Sequence, residues 1–223
     1  MNATNSTRTI HAIEQESYAI LRRQLTEQYP HTDSLPPLAR AVLERVVHAS
    51  ADLDYATDLV VPDETVLAEA VAALGRGVPV VADVAMVAAG ITKRAAVCRI
   101  TDPRAAALAA DAGITRSAAA LRLAAEAAGP GAIYVIGCAP TALFELVERA
   151  GEYRPLLVIG LPVGFVGAQE SKRALRDAAG SVPVLRGRAV SNVSGKGGSA
   201  VAAAALNALL YHDPATPLEG PRV

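Results

Sequence analysis

The chain has no tryptophan, two phenylalanines and two cysteines in 223 residues, and aromatic residues make up only 4% of it. A core without large rings has to be assembled from many small contacts. Much of the 52% hydrophobic content is alanine, so helices and strands approach closely while each side chain buries little area. Cys98 and Cys138 lie far apart, with no CxxC pair and no histidine-rich tract. That inventory argues against a zinc site and against a disulfide framework; the two read as buried free thiols in a reducing compartment.

Charge is scarce as well. Charged residues make up 19%, the 21 basic and 22 acidic residues are interspersed, and the net charge is -1. A nucleic-acid partner, which calls for a dense basic stripe, is not expected. Lysine occurs only at Lys93, Lys172 and Lys196, so arginine is the main cation. That matters if the ligand carries carboxylates, because the guanidinium fork binds them in bidentate fashion. No apolar run nears the roughly 18 residues of a membrane span, and the opening MNATNSTRTI lacks the apolar segment of a signal peptide. The expectation is a soluble, cytosolic protein with no membrane partner.

What is present is an alternating pattern. Residues 12–28 have apolar positions at helical spacing and stop at Pro30. Pro36 and Pro37 then open a second helix, PPLARAVLERVVHAS, with His48 in its last turn. A strand-like DLVVP and the helix DETVLAEAVAALGRG follow, with Asp63 as an N-cap and Gly75 or Gly77 as its stop. Beyond it, short apolar runs at 78–83, 96–100, 132–137, 155–162 and 182–187 alternate with helical stretches. Continuous apolar runs suit strands covered on both faces, and helices between them indicate parallel βαβ units. The spacing predicts a three-layer α/β/α single domain with a mostly parallel sheet over residues 1–211. The proline-rich residues 212–223 are expected to form a flexible C-terminal tail.

In such sheets ligands sit beyond the carboxyl ends of the strands. The glycine-rich SNVSGKGGSAVAAAA combines backbone N–H groups, a helix start and Lys196, a physical recipe for binding an anion through Lys196, Gly197, Gly198 and Ser199. It is not a phosphate-binding P-loop, because Val190 stands where that motif needs glycine, and Gly160, Gly164 and Gly167 miss dinucleotide-site spacing. Arg116 opens an alanine-rich helix, where a cation opposes the helix dipole; a ligand or a surface ion pair would each explain it. His48 is well placed against its own helix dipole and has Glu44 one turn earlier as a partner. No Ser-His-Asp or Cys-His spacing can be assigned.

Taken together, HAIEQESYAILR (11–22), RVVHASADLDYA (45–56), VVADVAMVAAGITK (80–93), TRSAAALRL (115–123), GCAPTAL (137–143), LLVIGLPVGFVGAQESKRAL (156–175) and GKGGSAVAAAALNALL (195–210) resemble the precorrin-8X methylmutase family, which includes the cobalt-precorrin-8 methylmutases. The likeness runs through nearly the whole chain in collinear order. Two departures stand out: Ala12 where the family often has proline, and Cys138 where its GNAPTAL motif has asparagine.

The resemblance implies a homodimeric isomerase that moves a methyl group from C-11 to C-12 of an anionic corrinoid, using no cofactor and no protein-bound metal. It gives His48 the role of proton donor and acceptor, and Ser17, Arg45 and Arg116 the role of substrate contacts. Arg45 lies three residues before His48, on the same helical face. A non-catalytic tetrapyrrole carrier is the main alternative; it would keep the anion-binding groups without needing His48. A small-acid hydrolase or isomerase on a similar sheet would have no affinity for corrinoids.

Overall fold

The computed structural model of the protein describes residues 12–212. Helix α1 (Ala12–Gln28) ends before a 3-10 turn that opens on Pro30. Pro37 takes the first position of α2 (Pro37–Ser50), where its missing N–H costs nothing, and α2 closes on Ala51 in the left-handed region. The single turn α3 (Tyr55–Asp58) leads into β1 (Leu59–Val60). Asp63 stands at the N-cap of α4 (Glu64–Gly75), followed by β2 (Val80–Ala82) and α5 (Ala85–Gly90). Two alanine-rich helices, α6 (Arg104–Ala112) and α7 (Arg116–Ala128), precede β3 (Ile133–Ile136). Then come α8 (Pro140–Glu148), α9 (Ala150–Tyr153), β4 (Leu157–Gly160), α10 (Ala168–Ser181), β5 (Ala189–Asn192) and α11 (Ser199–Leu210).

The five strands lie in the order β1-β5-β4-β3-β2; of the four pairings three are parallel, and the edge strand β1 runs antiparallel to β5. Because side chains alternate across a strand, β3 sends Ile133 and Val135 into one core and Tyr134 and Ile136 into the other. Helices α1, α2, α4, α5 and α11 cover the first face, and α7 to α10 the second. This is the three-layer arrangement that the alternation predicts. Helix α11 buries every residue from Val201 to Leu209, and a helix apolar all round has to lie inside.

Two expected strands are corrected. Residues 182–187 form a 3-10 turn, Pro183–Leu185, because proline donates no ladder hydrogen bond and suits a first helical turn; the strand starts later, at Ala189. The run 96–100 contributes only a bridge between Val97 and Val81, on the edge of a strand three residues long. Of the expected tail, 212–223, only His212 lies within the described residues.

This topology gathers the site. Helices α5, α8, α10 and α11 each follow a parallel strand and so begin at its carboxyl edge. Leu59 pairs with Asn192, the last residue of β5, so β1 starts at that edge and brings α3 and the end of α2 with it. Helix α7 runs back towards the start of β3, which places Arg116 at the same edge; the Thr115 and Thr141 hydroxyls, 2.7 Å apart, join the starts of α7 and α8.

Candidate active site

His48, half-buried in the last turn of α2, is held by two consecutive residues of α1. Ser17 Oγ lies 3.1 Å from His48 Nδ1, and the Tyr18 ring stacks on the imidazole with centroids 4.6 Å apart and planes 11° from parallel. Arg45 donates through Nη1 to Tyr18 Oη at 3.0 Å and to Glu14 Oε1 at 3.1 Å. Burial alone would lower the Arg45 pKa, but the hydrogen bonds and charge of Tyr18 and Glu14 outweigh it, so the guanidinium is held firmly charged. A serine hydroxyl both donates and accepts, so Ser17 can follow His48 through either protonation state. Among the described residues Nε2 has no hydrogen-bond partner, which leaves it for proton exchange.

Glu44 does not pair with His48. It is buried and accepts instead from Arg22 and from Arg40, each at 2.9 Å. Two guanidiniums outcompete one imidazole for that carboxylate.

The glycine-rich loop closes over the carboxyl edge from the far side. Asp58, at the end of α3, accepts from Val193 N at 3.0 Å and from Ser194 N, Ser194 Oγ and Asn192 Nδ2, each at 2.7 Å. Burial would raise its pKa, yet these hydrogen bonds prevail and hold it below the ordinary carboxylate value. Gly198 N donates to Leu161 O at 2.9 Å, and Gly197, at φ +149°, lies so near β4 that an added Cβ would sit 2.3 Å from Leu161 O. Glycine is required there by contact as well as by backbone angle. The first turn of α11, from Ser199, has no side-chain cap. Lys196 Nζ meets Asp52 and Asp54 at 2.8 Å each, just beyond the helix that carries His48. Those carboxylates raise its pKa.

Asp83, 1% exposed, ends the β2 segment and accepts from Gly137 N at 3.1 Å and from Cys138 N and Ala139 N at 2.8 Å. An added Cβ on Gly137 would come within 2.9 Å of Ser199 Cα, so this turn supports the start of α11. Cys138 is exposed, not buried as expected, because the turn points its side chain outwards; burial of the thiol and then the Asp83 charge keep its pKa high. Arg116 is exposed at the start of α7, across the sheet edge from His48, and no hydrogen bond joins it to Ser17, Arg45 or His48. Phe165 and Val166, 108% and 89% exposed, lie on the β4–α10 loop at this same edge.

The structure therefore brings Ser17, Arg45 and His48 into one cluster, places Lys196, Gly197, Gly198 and Ser199 in a second group tied to the end of α2, and leaves Arg116 apart. Tyr18, Glu14, Asp58, Asp83, Lys172 and Asn192 went unpredicted as members of this framework. Only Asp83 carried a local signal, a carboxylate directly after an apolar run.

A profile of the precorrin-8X methylmutase family matches residues 12–212. A precorrin-8X methylmutase of Sinorhizobium sp is 41% identical over 208 residues, covering 89% of this chain and 92% of its own. A cobalt-precorrin-8 methylmutase of Methanocaldococcus jannaschii is also 41% identical, over 173 residues, covering 77% of this chain and 78% of its own. The crystal structure of a precorrin-8x methyl mutase from Thermus thermophilus superposes with a TM-score of 0.75 at 32% identity, covering 90% of this chain and 96% of that one. With the match spanning all the described residues and the fold shared, this chain belongs to the precorrin-8X methylmutase family.

Proposed function

We propose that the protein is the isomerase that moves a methyl group from C-11 to C-12 of precorrin-8X, or of its cobalt form, in cobalamin biosynthesis. The observation that carries this reading is a single imidazole, fixed by Ser17 and Tyr18 and open at Nε2, at the ligand-binding edge of a chain that matches the family from end to end of its described residues. A [1,5]-sigmatropic shift breaks one carbon–methyl bond and forms another within the same conjugated ring, so the protein has no group to carry. It has to hold one ring conformation and manage one proton. An imidazole serves the second task near neutral pH, giving a proton to the macrocycle or taking one from it at Nε2.

Among the described residues Arg45 uses only Nη1 in its hydrogen bonds, and we assign the rest of its fork to a substrate carboxylate. Ser17, beside it, has a hydroxyl within reach of both His48 and the substrate. The N–H groups of Gly197 and Ser199 and the exposed Arg116 face other carboxylates around the ring, while Gly198, whose N–H is taken by Leu161 O, holds the loop in place. Lys196 joins them when a substrate carboxylate replaces Asp52 or Asp54. The exposed Phe165 and Val166 at the rim support a homodimer in which a second copy covers that loop. Two free cysteines fit work in the cytoplasm, where thiols stay reduced.

The test is to incubate the purified protein with metal-free precorrin-8X and follow the visible spectrum. Conversion to hydrogenobyrinate is the expected result. Conversion of the cobalt form alone identifies the cobalt branch, binding of both without conversion establishes the carrier reading, and no binding of either overturns the assignment. Arg45→Ala is expected to weaken product binding roughly 10- to 100-fold, from the loss of charge-assisted hydrogen bonds worth about 1.5–3 kcal/mol. Unchanged affinity in a titration of hydrogenobyrinate would remove Arg45 from substrate binding.

A further inference from the structure

Lys172 is the one lysine with no surface exposure, and nothing in the proton chemistry at His48 uses it. It lies on α10, directly beneath the glycine-rich loop. Its ammonium donates to Asn192 Oδ1 at 2.8 Å and to the backbone carbonyl of Lys196 at 2.5 Å. Asn192 is itself gripped from three sides: its side-chain N–H donates to Asp58 and, at 3.1 Å, to that same Lys196 carbonyl, while its own carbonyl accepts from Arg176. A buried ammonium is costly in apolar surroundings and persists only where fixed acceptors compensate it. Here the acceptors are the end of β5 and the middle of the loop. The chain of contacts continues beyond the loop, because Lys196 spans Asp52 and Asp54 at the end of the His48 helix.

We propose that Lys172 is a positioning residue for the active site: from under the sheet edge it fixes the 193–198 loop and, through Lys196, the segment that follows the last turn of α2. The inference rests on the methylmutase reading for its consequence, but the loop tie itself can be measured without substrate. The surroundings of Lys172 also make the tie sensitive to pH. Burial, first, and the like charge of Arg176 disfavour the ammonium, the Asp58 carboxylate favours it, and the balance brings the Lys172 pKa down to about 8. Lys196, beyond the loop, has its charge taken up by Asp52 and Asp54. The neutral amine keeps hydrogens to donate to both acceptors and no longer bears the cost of a buried charge, which here exceeds the attraction of Asp58. Opening the loop returns Lys172 to water and takes up a proton above about pH 8, so the closed loop gains stability as pH rises through that value.

The experiment is amide hydrogen exchange of the 193–199 segment, corrected for the intrinsic base-catalysed rate, alongside turnover of precorrin-8X, for the wild type and Lys172→Met across that pH range. Methionine matches the length and apolarity of the buried stem. In the wild type, loop protection corrected for the intrinsic rate should rise as pH passes upward through about 8. In Lys172→Met the segment should exchange about tenfold faster or more at neutral pH, with protection of β3 unchanged, kcat reduced and the alkaline rise in protection missing. Loop protection that is the same in both proteins and shows no step in the wild type would overturn the proposal. Should the variant fail to fold, the wild-type titration alone still decides it. Should the wild type protect its loop as described yet convert no substrate, the functional reading fails while the tie stands.

Discussion

His48→Ala is expected to reduce conversion of precorrin-8X by at least about 100-fold, the lower end of what a positioned general acid–base group contributes, while leaving the fold in place. The two halves of that expectation have separate causes. The imidazole is half-buried and reaches α1 through one hydrogen bond and one stacked ring, so its removal costs about 1 kcal/mol in the α1–α2 contact. The neighbours that bury α2, Val42, Val46 and Val47, are untouched. Turnover fails because no other group is placed to do the same work: a serine hydroxyl is too weak an acid and base, Tyr18 is hydrogen-bonded to Arg45, and Lys196 is paired with carboxylates just beyond α2. His48→Asn separates position from proton transfer, since its amide can still meet Ser17 Oγ but cannot exchange a proton near neutral pH. Both variants should unfold within a few degrees of the wild type and bind hydrogenobyrinate. A folded His48→Ala protein that turns over normally would remove His48 from the mechanism.

How much of this was readable beforehand depended on the range of each interaction. Strands β3 and β4 stood out because four consecutive buried residues cannot be confused with an amphipathic surface element. β5 did not, since its AVSN ends in two polar residues that are satisfied by the sheet, by Asp58 and by Lys172; the more apolar VPVL drew attention instead. Asp58 meets Ser194 across 136 positions and Lys172 meets Lys196 across 24. No local period records such a pairing. The same holds for Glu44: helical spacing brings it near His48, but Arg22 from another helix decides where it goes. Ser17, Arg45 and His48 were nameable only through the family motifs. Each alone is an ordinary residue on an ordinary helix, and their meeting depends on how α1 lies across α2.

Asp83→Ala is expected to lower stability by about 3 kcal/mol, through the framework and not the chemistry. The carboxylate accepts from three consecutive backbone N–H groups at the start of α8. Without it those three donors lose their side-chain acceptor. An unsatisfied buried donor costs about 1–3 kcal/mol, and recovery of the burial cost of the charge offsets part of the sum. The midpoint of thermal unfolding should fall by roughly 6–12 °C, at about 2–4 °C per kcal/mol for a chain of this size. The pH dependence fixes the sign. Burial, opposed only in part by those N–H groups, raises the Asp83 pKa above its ordinary value. Its stabilising contribution is therefore complete below the ordinary carboxylate pKa and partly lost as pH rises through the raised one. The deficit of Asp83→Ala should be larger in weakly acidic buffer than at neutral pH, as read from urea unfolding. Asp58, whose pKa is lowered, has the opposite sign and accounts for stability lost towards acid. Because Gly137 packs against Ser199, a turn freed from Asp83 also unseats the start of α11. Turnover should then fall with stability, and a variant as stable as the wild type would show that the turn holds itself.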